Sequence, residues 1–427
     1  MTDFVNQTEI AKGAIGCYIP SNRFKTARIS VTAYLPLNED NIATASLMAQ
    51  ILSNGCARFA KPLDMSRELD RLYGATLGAD TDKMGDTLVW RTGIIFVQDK
   101  FLPENIFADC ARLLFDTVFA PACDGNGFDS DNFEREKRIQ LEDIEGEIND
   151  KRTFARNRCL AEMCDGEPFG IPNLGTAEQV AALTREGVYN AWRKFLETAY
   201  FRVGVVADDE HPEVYGMFAE RLANIERGEI YTPVETELHT AAGEIKRVSD
   251  RLDVAQGKLV LGCSVGGAGE DNESYRTMVM IDMLGGGAYS LLFNNVREKL
   301  SLCYYCAARY DKSTGMMMVD SGVETGNEEK AKEEILRQLK VVQEGDFEQD
   351  ELDSTILTMV NALKSTVDTL GGLENWYLTQ ILSGSDESPL ENVEKITAMT
   401  KERIQSAAKK ITLDTVFFLA GKKEGEE

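Results

Sequence analysis

Glu68-Leu69-Asp70-Arg71-Leu72-Tyr73-Gly74-Ala75 leads into an alternating strand, then the turn Asp82-Lys83-Met84-Gly85, then a second strand ending at Thr92-Gly93. About 229 residues further on the same order returns. Val296-Arg297-Glu298-Lys299 precedes a strand over Leu302 to Tyr310, the turn Asp311-Lys312-Ser313-Thr314-Gly315 and a strand ending Ser321-Gly322. The correspondence continues. Phe133-Glu134-Arg135-Glu136-Lys137 opens a long helix, Thr153 to Cys164 forms another, and Val180 to Glu197 leads into a strand over Tyr200 to Val206. Its counterparts are helices over Asp350 to Leu370, Leu373 to Leu382 and Glu394 to Lys410, then a strand over Thr415 to Ala420. Repeats this long are no solenoid unit. They predict a duplicated pair of α+β domains, each a mainly antiparallel sheet covered by helices on one face. Between them, Arg227 to Asp250 mixes Pro, Gly, Thr and Glu with little apolar period, the composition of a linker. The division expected is therefore a domain over 1–226, a linker over 227–250 and a second domain over 251–427.

At 427 residues with 43% hydrophobic content, the chain exceeds what one core usually holds, which agrees with two domains. A formal charge of −25 argues against nucleic acid as a partner, since phosphate neutralisation requires clustered Lys and Arg. An acidic surface could steer basic peptides, or simply be solvated. No stretch approaches the roughly 20 apolar residues of a membrane helix, and Met1 to Gly16 lacks the basic start and apolar run of an export signal. Nine cysteines scattered through apolar segments suit a reducing compartment. A cytoplasmic location with no membrane partner is expected.

Only two histidines occur, His211 beside a proline and His239 in a polar connector, so a multi-histidine metal site is excluded by count. Gly285-Gly286-Gly287 lacks the Gly-Lys-Ser or Gly-Lys-Thr of a phosphate loop and fits helix–strand packing or a turn. Cys303 and Cys306 lie three apart on a predicted strand, where they face opposite sides and could not grip one metal. Cys159 and Cys164, five apart on a helix, do not share a face well.

The segment Met283-Leu284-Gly285-Gly286-Gly287-Ala288-Tyr289-Ser290-Leu291-Leu292-Phe293, followed by Asn294-Asn295-Val296-Arg297-Glu298-Lys299 and Leu302-Cys303-Tyr304, resembles the second-half signature of the insulinase, or M16, peptidase family. Asn173-Leu174-Gly175-Thr176 before a helix and the glutamate-rich helix around Glu142 add to the resemblance. Phe24-Lys25-Thr26, Leu72-Tyr73 before Gly74-Ala75, and Gln256-Gly257-Lys258-Leu259 resemble a metal-free bacterial subgroup described with aminopentanol modification of elongation factor P. The resemblance implies the M16, LuxS/MPP-like fold, with two halves in a clam-like shell around a peptide chamber.

The resemblance also assigns positions. Where the family carries its zinc-binding His-x-x-Glu-His helix, this chain reads Ala45-Ser46-Leu47-Met48-Ala49-Gln50-Ile51-Leu52. Ser46 and Gln50 take the places of the two histidines, Ala49 that of the glutamate that activates water, and Glu142 that of the third ligand. Zinc hydrolysis needs three protein ligands, an open position and a carboxylate base, so the chain is expected to bind no metal and to be inactive alone. Glu142 on so charged a helix is otherwise a solvated or salt-bridged carboxylate. Read singly, Arg297 is an exposed helix charge and Tyr304 a strand aromatic. The family signature makes them the pair that reaches the bound peptide's carbonyl oxygens and the oxyanion. Gly78 and Ala79, in Thr76-Leu77-Gly78-Ala79-Asp80, align with the edge strand to which family substrates add a strand, or mark a bulge.

The function expected is a non-catalytic, peptide-binding subunit of a two-chain peptidase, with zinc in a homologous partner bearing the intact motif. One rival is a homodimeric peptide-binding or scaffolding module with no part in hydrolysis. The other is a peptidase active through an unrecognised site.

Overall fold

The computed structural model describes residues 6–233, 236–266, 271–324, 326–382, 385 and 387–421. The chain forms two compact units, and they do not follow the halves of the sequence. The first comprises Met1–Glu145, Asn173–Glu235 and Thr366–Ser388; the second comprises Gly146–Pro172, Thr236–Ser365 and Pro389–Glu427. Each half of the chain thus lends one segment to the unit built mainly from the other.

The main sheet of the first unit holds six strands: β1 (Asn6–Ala11), β2 (Ala14–Pro20), β3 (Thr26–Pro36), β4 (Thr76–Met84), β5 (Thr87–Val97) and β6 (Tyr200–Ala207). Their order is β1-β2-β6-β3-β5-β4, antiparallel except for the parallel pair β2 and β6. The predicted alternation of a half-buried strand holds for β4, at the sheet edge, where exposure alternates along the strand. β3 and β6 are instead buried on both faces along most of their length: β6 is apolar at nearly every position, whereas β3 alternates Thr26, Arg28, Ser30 and Thr32 with apolar residues and still buries Ser30 and Thr32. The cause lies in the exchange. One face takes helices such as α1 (Ile42–Ser53) and Phe107–Phe119, with Phe96 packed edge-on against Phe107. A helix from the far end of the chain, Leu370–Leu382, covers the other face. Its Leu370, Leu373 and Tyr377 share a stripe buried against Ile19 and Val206, each side chain worth about 1.5–3 kcal/mol of burial. Glu374 on the same helix holds Arg28 Nε at 2.5 Å and accepts from the Ser30 hydroxyl, both on β3. Cover on one face was the expectation; two-sided cover is the finding.

The second unit has β7 (Lys246–Leu252), β8 (Gly257–Ser264), β9 (Cys303–Asp311), β10 (Met316–Val323) and β11 (Thr412–Gly421), in the order β9-β10-β8-β11-β7. Only β11 and β7 run parallel. Apart from the extra β1, this is the topology of the first unit, so the duplication read from the sequence is a duplication of sheets. The stretch 227–250, expected as a linker, runs into β7. Helices Asp271–Gly285 and Glu328–Glu344 pack one face through Val279, Met283, Ile335 and Leu339. The end of the first of these abuts β9: a Cβ on Gly285 would lie 2.4 Å from the Ala308 nitrogen, which is the close helix–strand packing expected of the glycine triplet.

The opposite face of this sheet takes the helix Lys151–Met163, capped by the Asp150 carboxylate, which accepts from the Arg152 and Thr153 amides. Ala155 and Cys159 sit against Val260, Phe417 and Leu419. Arg152 Nε donates to the buried carboxylate of Asp320, and its guanidinium lies 4.1 Å from the Tyr305 ring centre. In both units the helix that crosses over is therefore pinned by an arginine–carboxylate pair, with the charges reversed between them.

Candidate functional site

In α1, nine of twelve residues are buried, so this is an interior helix whose polar positions must find partners. Ser46, 3% exposed, shares a 2.8 Å hydrogen bond with the Thr81 hydroxyl on β4 and donates to the Asn173 carbonyl at 3.2 Å. Gln50 donates its amide to the Ala79 carbonyl at 3.4 Å. Ala49 is 1% exposed. Glu142, on the helix Ser130–Gly146, has a 65% exposed side chain and lies 3.6 Å from Arg138 Nε one turn earlier. Three polar side chains at the aligned zinc positions are thus engaged with β4, a loop carbonyl and an arginine, and the fourth position is a buried methyl. These residues do not fit a zinc ion. Ser46 and Gln50 instead tie α1 to the edge strand β4.

That edge carries Gly78 and Ala79 opposite Gly93 and Thr92 of β5. The register is regular there, so Gly78 does not mark a bulge; a Cβ built on it meets nothing within 4 Å. The Gly78 carbonyl accepts from the Thr92 hydroxyl at 3.1 Å.

Arg297 and Tyr304 belong to the second unit, on successive elements. Arg297 lies on a π-helix, Leu292–Lys299, where the Leu300 amide reaches back five residues to the Asn295 carbonyl at 3.2 Å. Its guanidinium sits 4.6 Å from the Phe293 ring centre and 3.6 Å from a Glu298 oxygen, with 40% of the side chain exposed. Tyr304 is the extra residue of a β-bulge, since Cys303 pairs with Val323 and Tyr305 with Gly322. The bulge turns Tyr304 outward: it is 60% exposed and its hydroxyl donates to Glu324 Oε1 at 3.2 Å.

The same bulge overturns the expectation for the two cysteines. With one residue inserted, Cys303 and Cys306 oppose Val323 and Ser321, two apart on β10, and so share a face. The Cys306 thiol donates to Cys303 sulfur and, with the Ser321 hydroxyl and the nearby Arg297 charge, lowers the Cys303 pKa, while that of Cys306 rises. A period of two cannot reveal an insertion, and nothing in the sequence flags Glu324 or Thr81 as partners.

A family model described as the Peptidase M16 inactive domain matches residues 182–359. Over 422 residues the chain is 30% identical to YmfF of Bacillus subtilis strain 168, described as a probable inactive metalloprotease, with 98% of each chain covered. The chain belongs to the M16 peptidase family. A conserved protein from Enterococcus faecalis V583 shares the M16 architecture seen here at a TM-score of 0.92 and 25% identity, covering 99% of this chain and 100% of that one. An M16 inactive domain from Pseudomonas fluorescens superposes at a TM-score of 0.79 with 16% identity over 99% of both chains, a likeness of fold alone. No helix among the described residues is long and apolar enough to cross a membrane.

Proposed function

We propose that this M16 chain is a pseudopeptidase that serves as the non-catalytic, peptide-binding subunit of a zinc-dependent heterodimer. Zinc and its histidines belong to a homologous partner; Arg297 and Tyr304 come from this chain. The observation that carries the reading is the bulge that presents Tyr304 outward on β9 while Arg297 stands on the π-helix just before it. A guanidinium offers fixed donors and a phenol one more, and both can hold a peptide carbonyl or the oxyanion that forms from it. The Tyr304–Glu324 bond is exposed, so the hydroxyl can exchange that partner for a substrate oxygen at little cost. β4, with open space at Gly78, offers an edge for a peptide strand.

The setting proposed is cytoplasmic, and the subgroup resemblance suggests aminopentanol modification of elongation factor P as the process. The test is co-expression with a homologue that carries the intact zinc motif. A stable complex that cleaves peptide, and that loses about 10²–10³-fold in kcat with Arg297→Ala, supports the proposal. Failure to form that complex, or cleavage indifferent to Arg297→Ala, overturns it. A homodimer that binds unfolded peptides regardless of zinc would establish the scaffolding alternative instead.

A further inference from the structure

The second unit contains a cluster with ligand chemistry, buried at two of its three members, on residues other than those aligned with the family's zinc helix. Cys164, Glu167 and His239 place one ligand atom each within 4.8 Å of one another. His239, read from the sequence as lying in a polar connector, is 5% exposed and its backbone is fixed on both sides. Its amide donates to the Thr314 carbonyl at 2.8 Å, and its carbonyl accepts from the Ser264 hydroxyl at 2.9 Å. Nδ1 faces the Glu167 oxygens at 2.9 and 3.1 Å. Nε2 has no hydrogen-bond partner among the described residues and lies 3.6 Å from Asp414 Oδ2. Cys164, 1% exposed, ends the helix Lys151–Met163, and the Glu167 amide donates to its carbonyl at 2.9 Å.

We propose that Cys164, Glu167 and His239 form a structural Zn²⁺ site, with His239 coordinating through Nδ1. Thiolate, carboxylate and imidazole are the donors zinc prefers, and a tetrahedral ion would hold imidazole nitrogen and carboxylate oxygen about 3.4 Å apart, close to the spacing already present. Binding releases the Cys164 thiol proton, and the neutral imidazole coordinates through Nδ1 as the tautomer whose single proton sits on Nε2, pointing to Asp414, which also accepts from the Ala242 amide at 3.1 Å. A carboxylate behind the ring nitrogen opposite the metal fixes tautomer and orientation in zinc sites generally. One thiolate and one carboxylate cancel the charge of the ion, which suits a site with two buried ligands. The fourth position is left to water. The ligands come from the crossover segment and the connector, beside β11, so the ion would fasten both segments to the second unit.

The metal-free full-length chain, dialysed with Zn²⁺ and analysed for bound metal, should retain one equivalent, melt at higher temperature, and with Co²⁺ show thiolate-to-metal absorption. Cys164→Ser should abolish that absorption, and His239→Gln should weaken binding tenfold or more. Glu167→Gln, at a side chain 43% exposed, provides a variant expected to fold and to weaken binding. Ser46→Ala and Gln50→Ala should leave zinc unchanged. Absence of stoichiometric zinc, or zinc retained by all three site variants, overturns the proposal. Neither result touches the Arg297 test.

Discussion

Gln50 hands its side-chain amide to the main-chain oxygen of Ala79, the residue beside Gly78 on the edge strand β4. A helix position that aligns with a metal ligand thus serves a structural contact. The neighbouring Ser46 does likewise through Thr81, so α1 and β4 are joined by polar bonds. The residue between them has no room or partner for a charge. Ala49→Glu places a carboxylate where the wild-type side chain is 1% exposed, and should lower stability by about 2 kcal/mol or more, read by urea unfolding. Unchanged stability would mean that the helix can rotate this position toward water.

The crossover helix of the second unit gives a sharper test. Asp320 is 1% exposed, and besides Arg152 one of its oxygens has no hydrogen-bond partner among the described residues. Arg152→Met leaves that carboxylate buried and unpaired, with an expected loss of about 3 kcal/mol in denaturant unfolding. Replacing both residues, Arg152→Met with Asp320→Leu, should recover much of the loss, because the desolvated charge goes with its partner.

Beneath the same helix, a Cβ added to Gly262 would lie 2.6 Å from Met163 sulfur. Gly262→Ala should cost about 1–3 kcal/mol by overpacking. Combining it with Met163→Ala should cost less than the sum of the two single changes, a coupling that a double-mutant cycle measures directly.

How much of this was legible follows from what periodicity can report. Alternation and order located the hairpins around Asp82 and Asp311 and exposed the duplication, because strand spacing and turn residues are local properties. The destination of a helix is not local. The stripe of Leu370, Leu373 and Tyr377 is visible, but nothing in it says that the sheet it covers is built from the other half of the chain. β6, apolar at nearly every position, carries a sign of cover on each side, whereas β3, with Thr26, Arg28, Ser30 and Thr32 alternating with apolar residues, reads as a strand with one solvated face. Ser46, Ala49 and Gln50 were placed by alignment with a motif, which gives positions but not hydrogen-bond partners. The polar composition around His239 marked a connector but not its burial, and three backbone and side-chain bonds hold the residue inside.

The bulge predicts an unusual thiol. Cys303 accepts a hydrogen bond from Cys306, sits beside the Ser321 hydroxyl and feels the Arg297 charge, so its pKa falls below the ordinary thiol value; partial desolvation raises that of Cys123. Because the thiolate is the reactive form, alkylation of Cys303 should rise through its midpoint at lower pH than alkylation of Cys123, measured peptide by peptide in mass spectra. Cys306→Ala removes the donor and should move the Cys303 midpoint upward. An unmoved midpoint would leave the Ser321 hydroxyl and the Arg297 charge as the causes.

Tyr304 separates structure from function most cleanly. Its hydroxyl makes one exposed bond to Glu324, and exposed hydrogen bonds of this type contribute little to folding. Tyr304→Phe keeps the ring and the bulge, whose geometry is held by the Ser321 hydroxyl donating to the Tyr305 carbonyl at 2.9 Å. Stability should therefore change by no more than about 0.5 kcal/mol. In the complex with a zinc-bearing homologue, the lost phenol donor should lower kcat with little effect on KM, because an oxyanion exists only in the transition state. A rise in KM alone would assign Tyr304 to ground-state peptide binding. No kinetic effect at all would remove it from the site and leave Arg297 to account for any contribution of this chain.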